Sequence, residues 1–275
     1  MSDRVRATAP PELDSPETRA KLYTAFRSYF DMAERKRRWN VTNDIPWDKC
    51  NPHLDPAIAD VVKTFCMVEL YLPDYLAKLI PQVRANHGRA WMLANWGYEE
   101  SKHSMVLGDW LLKSKAMTDS QMASMEDEVF ANEWELPYDN ARAMVCYTMM
   151  QELATQIHYR NLRKIVNGRC PALDTVLELV AIDEAAHAQF FRQLVSIYLE
   201  DDREATIEQF LRVLNTFQMP ALHLISEGAQ RVADVRAMNI FSEQTFTEEV
   251  YHPLMNRLGL TRKDLRVKGK QFRTA

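Results

Sequence analysis

Glycine, proline and cysteine are scarce in this chain. Its 275 residues include 7 glycines, 12 prolines and 4 cysteines. Because glycine and proline are the strongest breakers of a helix, their scarcity favours helix in nearly every window of the sequence. Long helices joined by short turns can enclose one core at this length. We therefore predict an all-α protein with a single helical domain over residues 16–260.

An apolar run of about 18 residues, the length needed to cross a bilayer, is also absent. The start of the chain carries Asp3, Arg4 and Glu12 where a signal peptide would have an apolar core. We therefore predict a soluble protein with no membrane span. The four cysteines have no Cys-x-x-Cys spacing. This pattern favours reduced thiols in the cytoplasm and gives no sign of a zinc site.

The net charge of −4 is distributed unevenly. Residues 262–275 have a net charge of +5, so the rest of the chain has −9. A second basic block covers residues 35–38 and is followed at once by Trp39. Either block could be an ordinary solvated helix end or tail, or a docking surface for an acidic partner. Basic residues interleaved with aromatics are absent, so we predict no nucleic-acid binding.

The helix pattern gives an outline of the chain. We predict a disordered N-terminus over residues 1–15, a first helix from Ser15-Pro16 to about Arg38, an irregular strap to about residue 51, and a basic tail over 261–275. Further helices are predicted over residues 56–79, 83–115, 119–130, 139–167, 172–199, 204–215, 220–236 and 247–258. Pro73 falls inside the second helix, where it should produce a bend or bulge.

Two motifs place a glutamate three residues before a histidine. Glu100 precedes His103, and Glu184 precedes His187. Residues three apart project from the same face of a helix, so each motif presents two metal ligands together. Random placement of the seven histidines would give roughly 0.5 such pairs. A third pair, Glu249 and His252, runs into a proline, and we interpret it as the chance occurrence.

An upstream carboxylate distinguishes the first two motifs from the third. Glu69 lies 31 residues before Glu100, and Glu152 lies 32 residues before Glu184. This repeat of a glutamate, a helical hairpin and Glu-x-x-His is the ligand arrangement of a carboxylate-bridged di-iron site in a four-helix bundle. A lone glutamate on an apolar helical face usually lies at the boundary between the buried and the exposed side of the helix. Six polar groups facing one core would be unfavourable unless a metal pair satisfied them, with iron or manganese preferred over zinc.

Four segments resemble those of the soluble acyl-acyl-carrier-protein desaturases. They are residues 68–75 (VELYLPDY), 96–109, 151–155 (QELAT) and 183–187 (DEAAH). The similarity spans about residues 39–219 and implies a ferritin-like four-helix bundle with additional flanking helices. Two departures stand out: the hairpin between the first two segments is shorter than in plant members, and Ala185-Ala186 replaces basic residues usual in the last motif.

The resemblance assigns roles to the candidate residues. It implies that Glu100 and Glu184 bridge two irons, with manganese as a substitute metal. The terminal ligands would be Glu69 and His103 on one iron, and Glu152 and His187 on the other. Thr155 matches a family threonine beside the metals, where it would position a proton or water, although such a hydroxyl can simply bond back to a helix carbonyl. Asp183, which echoes Glu99, matches an acid beside the metal ligands.

The resemblance also implies an activity and partners. The expected reaction is O₂-dependent insertion of a double bond into an acyl chain on acyl carrier protein, with electrons from a ferredoxin-like donor, in a cytoplasmic homodimer. Arg35 to Arg38 and Trp39 are the predicted docking patch for the acidic carrier, with the basic tail as the next candidate. The same ligands would serve a hydroxylase or N-oxygenase. A ferritin-like iron store is a further alternative, whereas Leu107 disfavours a radical-generating reductase subunit.

Overall fold

The computed structural model describes residues 14–261, 263 and 264, and within them regular structure is entirely helical. The predicted all-α, ferritin-like class is therefore confirmed. The predicted disordered N-terminus lies outside the described residues except for residues 14 and 15. Of the predicted basic tail, only residues 261, 263 and 264 are described.

Eleven α-helices are defined in this part of the chain. They are α1 (Pro16–Lys36), α2 (Pro56–Glu69), α3 (Leu72–Val83), α4 (His87–Lys113), α5 (Asp119–Phe130), α6 (Ala141–Val166), α7 (Pro171–Asp201), α8 (Arg203–Thr216), α9 (Gly228–Ala237), α10 (Glu243–Thr245) and α11 (His252–Arg257). A π-helical turn, Phe246–Tyr251, joins the last two, and a 3₁₀ turn, Trp47–Lys49, lies in the strap after α1.

Local signals fix where the long helices begin. Ser15 caps α1 by accepting a hydrogen bond from the Thr18 amide at 3.1 Å, and Pro16 occupies the first turn. Asn140 caps α6 in the same way through the Ala143 amide at 2.7 Å. These side chains satisfy amide groups that the first turn of a helix leaves without partners.

The four helices α2, α4, α6 and α7 form the central bundle. Helix α6 lies along α7, α2 lies along α4, and α4 also contacts α7. Helix α1 covers the α4 and α7 side, while α8 lies against α6 and α7. Large side chains such as Trp110, Met149 and Phe191 are buried between these helices. The bundle therefore encloses the inward faces that carry the two Glu-x-x-His motifs.

The single helix predicted over residues 56–79 is wrong. Helix α2 ends at Glu69, and α3 starts at Leu72 with Pro73 in its first turn. The first turn of a helix accommodates proline, because an amide hydrogen at that position would have no partner within the helix. The chain therefore ends one helix and starts another, instead of bending a single helix at Pro73. The Tyr75 hydroxyl donates to the Val68 carbonyl at 3.0 Å across the break. The break makes Glu69 the last residue of its helix.

The helix predicted over residues 220–236 also begins later than expected. Residues 220–225 form turns, and α9 starts at Gly228. Ala221 and Glu227 both have positive φ, at 60° and 56°, which interrupts any continuous helix. The helix predicted over 119–130 has the same ends in the structure, the one predicted over 247–258 is a π-helical turn followed by α11, and the rest are present with shifted ends.

Two glycines on α4 should respond oppositely to substitution. A Cβ at Gly88 would lie 2.7 Å from the Tyr23 Cα on α1, whereas one at Gly108 would meet nothing closer than 3.8 Å. We expect Gly88→Ala to lower the free energy of unfolding by about 1–3 kcal/mol, because backbone cannot move aside easily. Gly108→Ala should raise it by up to about 1 kcal/mol through helix propensity. Urea denaturation of both variants measures this, and equal effects would contradict the α1–α4 contact.

Candidate metal centre

The bundle brings all six predicted ligands into one buried cluster. One group comprises Glu69, Glu100, His103 and Glu184, and the other comprises Glu100, Glu152, Glu184 and His187. Within each group, one donor atom from every residue lies within 4.8 Å of the others. The two groups share Glu100 and Glu184, the two glutamates of the Glu-x-x-His motifs.

The histidine Nδ1 atoms point into this cluster. Nδ1 of His103 lies 3.0 Å from a Glu100 oxygen and 3.4 Å from one of Glu184. Nδ1 of His187 lies 2.9 Å from Glu100 and 3.2 Å from Glu152. These approaches lack hydrogen-bond geometry. Both Nδ1 atoms, Oε1 of Glu100 and Oε2 of Glu152 are buried without a hydrogen-bond partner.

Such atoms are expected among side chains that bind a metal. A buried polar atom without a partner is unfavourable by about 1–3 kcal/mol, and four of them here belong to the six candidate ligands. Carboxylate oxygens with imidazole nitrogens suit iron and manganese. The donor set therefore fits a pair of such ions, with two shared glutamates between two terminal Glu/His pairs.

The buried carboxylates of the cluster would also be stabilised by added positive charge. Burial raises the pKa of Glu69 and of Glu152, and the charges of Glu100 and Glu184 raise both further. Burial opposes the charged form of Glu100 too, yet the nearby charge of His103 lowers its pKa. Glu69 and Glu152 thus favour their protonated forms, whereas Glu100 favours its charged form beside the histidines. Metal cations would replace those protons.

A second pair of acids holds the opposite edges of the histidine rings. Nε2 of His187 lies 2.8 Å from Glu99, and Nε2 of His103 lies 3.4 Å from Asp183. The pairing crosses the bundle, since each helix supplies the acid for the other helix's histidine. Carboxylates in this position orient the imidazole of a metal ligand. Asp183 was predicted here, whereas Glu99 was missed as a site residue although its place before Glu100 mirrors Asp183.

Arg37 joins the two acids. It donates to Glu99 at 2.8 Å and also pairs with Asp183, with only 9% of its side chain exposed. Burial opposes the charged form of Glu99, but the His187 hydrogen bond and the charges of His187 and Arg37 lower the Glu99 pKa. The Tyr29 hydroxyl donates to Glu99 at 2.5 Å. One arginine therefore offsets two buried carboxylates.

The docking patch predicted at residues 35–39 is therefore wrong for Arg37, Arg38 and Trp39. Arg38 also pairs with Glu99, and Trp39 is buried with its indole N–H donating to Asp183 at 2.8 Å. These side chains pair with buried acids. The composition of a basic run does not show whether it meets solvent or such acids. Arg35 and Lys36 remain exposed.

Two further residues orient the terminal glutamates and were missed. The Tyr159 hydroxyl donates to Glu69 at 2.5 Å, and the Trp96 indole N–H donates to Glu152 at 3.1 Å. Both lie on ligand-bearing helices, α6 and α4. Their positions on the inward faces were readable, but the partner across the bundle depends on how the helices pair in space.

Thr155 lies on α6 one turn after Glu152, as predicted. Its hydroxyl donates to the Gln151 carbonyl at 2.6 Å, which is the local bond that a helix threonine commonly makes. It also lines the cleft described below. The third Glu-x-x-His pair is not part of the cluster, since Glu249 pairs with Arg160 and His252 is exposed.

An apolar cleft of about 910 Å³ reaches the cluster. Glu69, Thr155 and Tyr159 line the part near the candidate ligands, and α9 and the segment from Phe241 onward form other walls. An apolar cleft that meets a few buried polar groups is the usual form of a small-molecule site. Over the described residues, no helix is both long and apolar enough to span a bilayer.

The fold and cluster agree with comparisons to known proteins. The sequence model of a fatty acid desaturase family matches residues 61–270, and the chain belongs to this family. A Mycobacterium tuberculosis protein named acyl-[acyl-carrier-protein] desaturase DesA1 is 23% identical over 259 residues, covering 86% of this chain and 75% of its own length. The chloroplastic acyl-[acyl-carrier-protein] desaturase 6 of Oryza sativa subsp. japonica is 26% identical, over 59% of this chain and 41% of its own.

Solved structures support the fold. The acyl-ACP desaturase DesA2 structure from M. tuberculosis H37Rv has a TM-score of 0.68 at 17% identity, covering 89% of this chain and 95% of its own. A mutant R2-like ligand-binding oxidase with a Mn/Fe cofactor has a TM-score of 0.55 at 15% identity, covering 88% and 93%. The family resemblance read from the sequence is confirmed, and the chain is identified as desaturase-like and thus an oxidoreductase.

Arg37 gives a test of the supporting charges that needs no metal. Arg37→Gln leaves Glu99 and Asp183 buried without their shared cation, and we expect the free energy of unfolding to fall by about 3 kcal/mol. Arg35→Gln, on an exposed neighbour in the same basic block, should change it by less than about 0.5 kcal/mol. Denaturant unfolding of the metal-free proteins measures both. Similar small effects would show that Arg37 does not stabilise these acids.

Proposed function

We propose that this protein is an O₂-dependent di-iron oxidoreductase that introduces a double bond into an acyl chain carried on acyl carrier protein. The observation that supports this most is the six-residue Glu/His cluster at the buried side of an apolar cleft. The family and its desaturase relatives favour an acyl substrate. An apolar cleft of this volume is less expected of an iron store.

The proposed ligands follow the two groups in the cluster. Glu100 and Glu184 would be shared between two metal ions, since both belong to both groups. One ion would also be bound by Glu69 and His103, and the other by Glu152 and His187. Bound iron would supply the reaction with O₂ and the oxidation of the chain, with manganese as a possible substitute.

The protein's own residues would control position and water. Glu99 and Asp183 hold the histidine rings by their Nε2 edges, so that each Nδ1 faces the cluster. Tyr159 and Trp96 fix the terminal glutamates. The apolar cleft wall would keep water from the reacting carbons and would hold the chain beside the ligands. The Thr155 hydroxyl could leave its hydrogen bond to the Gln151 carbonyl and instead position a proton or a water molecule near the metal ions.

The proposed partners follow from the substrate. An acyl carrier protein is strongly acidic, so docking needs local positive charge on this acidic chain. Arg35 and Lys36 stay available for it, and the basic residues from 262 onward are the next candidates. A ferredoxin-like protein would supply electrons. The cytoplasm is the proposed location.

Metal content tests the ligand assignment. We expect about two irons per chain, with His103→Ala and His187→Ala each losing at least half of the bound iron because each removes a terminal donor. His252→Ala is the matched control, since it alters the third Glu-x-x-His motif, and its iron content should be unchanged. Elemental analysis after reconstitution measures this. Full iron in both ligand variants would refute the assignment.

The reaction itself is tested by product analysis. The iron-loaded protein with reductant, O₂ and a saturated acyl chain on acyl carrier protein should give a product two mass units lighter. Thr155→Val should keep its iron but consume O₂ with less product formed, whereas Thr155→Ser should stay coupled. A product sixteen units heavier would identify a hydroxylase. Unchanged coupling in Thr155→Val would leave Thr155 with its helix hydrogen bond alone.

We also propose that the protein is a homodimer formed through α4. Trp91, Tyr98 and Met105 recur every seven residues along this helix and are 55%, 54% and 49% exposed. Small residues, Ala94 and Ser101, lie between them on the same face. A stripe of large and small residues at a seven-residue repeat suits packing against a second helix of the same kind.

Size-exclusion chromatography with light scattering tests this interface. The unmodified protein should elute with the mass of two chains. Met105→Glu should raise the dissociation constant of the dimer at least tenfold, because it places two charges in an apolar contact. Phe130→Glu is the matched control, since Phe130 on α5 is 61% exposed and lies off the stripe. A monomeric unmodified protein, or a Met105→Glu variant that dimerises normally, would contradict the proposal.

A further inference from the structure

His158 occupies an unusual place in the wall of the apolar cleft. It lies on α6, one turn after Thr155, and is only 8% exposed. The Phe241 ring stacks on one face with centroids 4.2 Å apart, and the Phe65 ring meets it edge-on at 5.7 Å. Aromatic contacts therefore fix the imidazole plane and leave mainly a ring edge to face the cleft.

The backbone determines which nitrogen of His158 carries hydrogen. Nδ1 lies 2.7 Å from the Ala154 carbonyl, an acceptor, so Nδ1 must be the donor. Burial lowers the pKa of His158 to about 4, and the ring is therefore neutral. Nε2 is then an acceptor with a free lone pair. It has no hydrogen-bond partner among the described residues, and it is not enclosed either.

The other polar groups near His158 are already satisfied or lie at the rim. The Thr155 hydroxyl donates to Gln151, and the Thr64 hydroxyl donates to Asp60 and accepts from Arg231. His223, Gln218 and Glu243 also line the cleft but are exposed. His158 thus presents an accessible acceptor nitrogen, on a ring held by its aromatic neighbours, to a surface that is otherwise mostly apolar.

We propose that the ligand of this cleft carries a hydrogen-bond donor, and that Nε2 of His158 accepts from it and so fixes the position of the chain along the cleft. The inference rests on the proposed function, because it takes the cleft as the acyl site. The donor has two possible sources: a hydroxyl on the acyl chain, or an amide N–H of the pantetheine arm that joins such a chain to its carrier. His158 is then a positioning residue that determines specificity.

Binding to the full-length, metal-free protein tests this without turnover. The probes are octadecanoic acid, a series of its monohydroxylated forms with the hydroxyl at different carbons, and the octadecanoyl thioester of pantetheine, each titrated calorimetrically. One hydroxyl position, or the thioester, should bind roughly 3- to 10-fold more tightly than the plain acid, the effect of one neutral hydrogen bond. The preferred probe identifies the source of the donor.

Three variants make the result specific. His158→Phe keeps the ring stacking and removes the acceptor, so it should lose the preference while binding the plain acid within about twofold of the unmodified protein. His158→Gln keeps an acceptor oxygen and should retain part of the preference. His223→Phe, on the rim of the same cleft, should behave as the unmodified protein.

The outcomes separate this inference from the proposed function. If all probes bind but His158→Phe shows the same preferences as the unmodified protein, or if no probe is preferred, His158 has no positioning role and the acyl cleft stands. If no probe binds the unmodified protein at all, both the role of His158 and the acyl assignment of the cleft are wrong.

Discussion

Carboxylates enclosed within a few ångströms of one another repel, and neither water nor exposed side chains can relieve that repulsion inside a bundle. The structure depends on how this charge is offset. Outside the cluster, Arg37 lies between Glu99 and Asp183 and neutralises part of their charge. Inside it, two histidines supply only a partial balance, and several ligand atoms lack any partner. The cations that we propose for this cluster would complete the balance.

This balance ties distant parts of the chain together. Helix α1 carries no candidate ligand, yet Arg37 directly follows its last residue, and Trp39 in the strap donates to Asp183. The acids then hold histidines on the opposite helices. The cluster is thus supported by residues outside the four helices that carry the candidate ligands. Removing the charge of Arg37 should therefore affect the candidate ligands indirectly, through Glu99 and Asp183.

Much of this could be predicted from sequence because helices have a fixed repeat. Glu100 and His103 had to share a face, and the 31-residue spacing from Glu69 had to span one hairpin. What could not be predicted depends on pairing in space. The basic run containing Arg37 has the same composition whether it meets solvent or buried acids. Likewise Pro73 marks an irregularity, but only the fold shows that it starts a new helix.

We propose that the six-residue cluster holds two metal ions with Glu100 and Glu184 shared between them. The most direct test is a crystal structure of the iron-loaded protein, measured on both sides of the iron absorption edge. We expect two anomalous peaks per chain, both within bonding distance of Glu100 and Glu184, with one also bound by His103 and the other by His187. A single peak, peaks at exposed acids, or no peak within the cluster would contradict it.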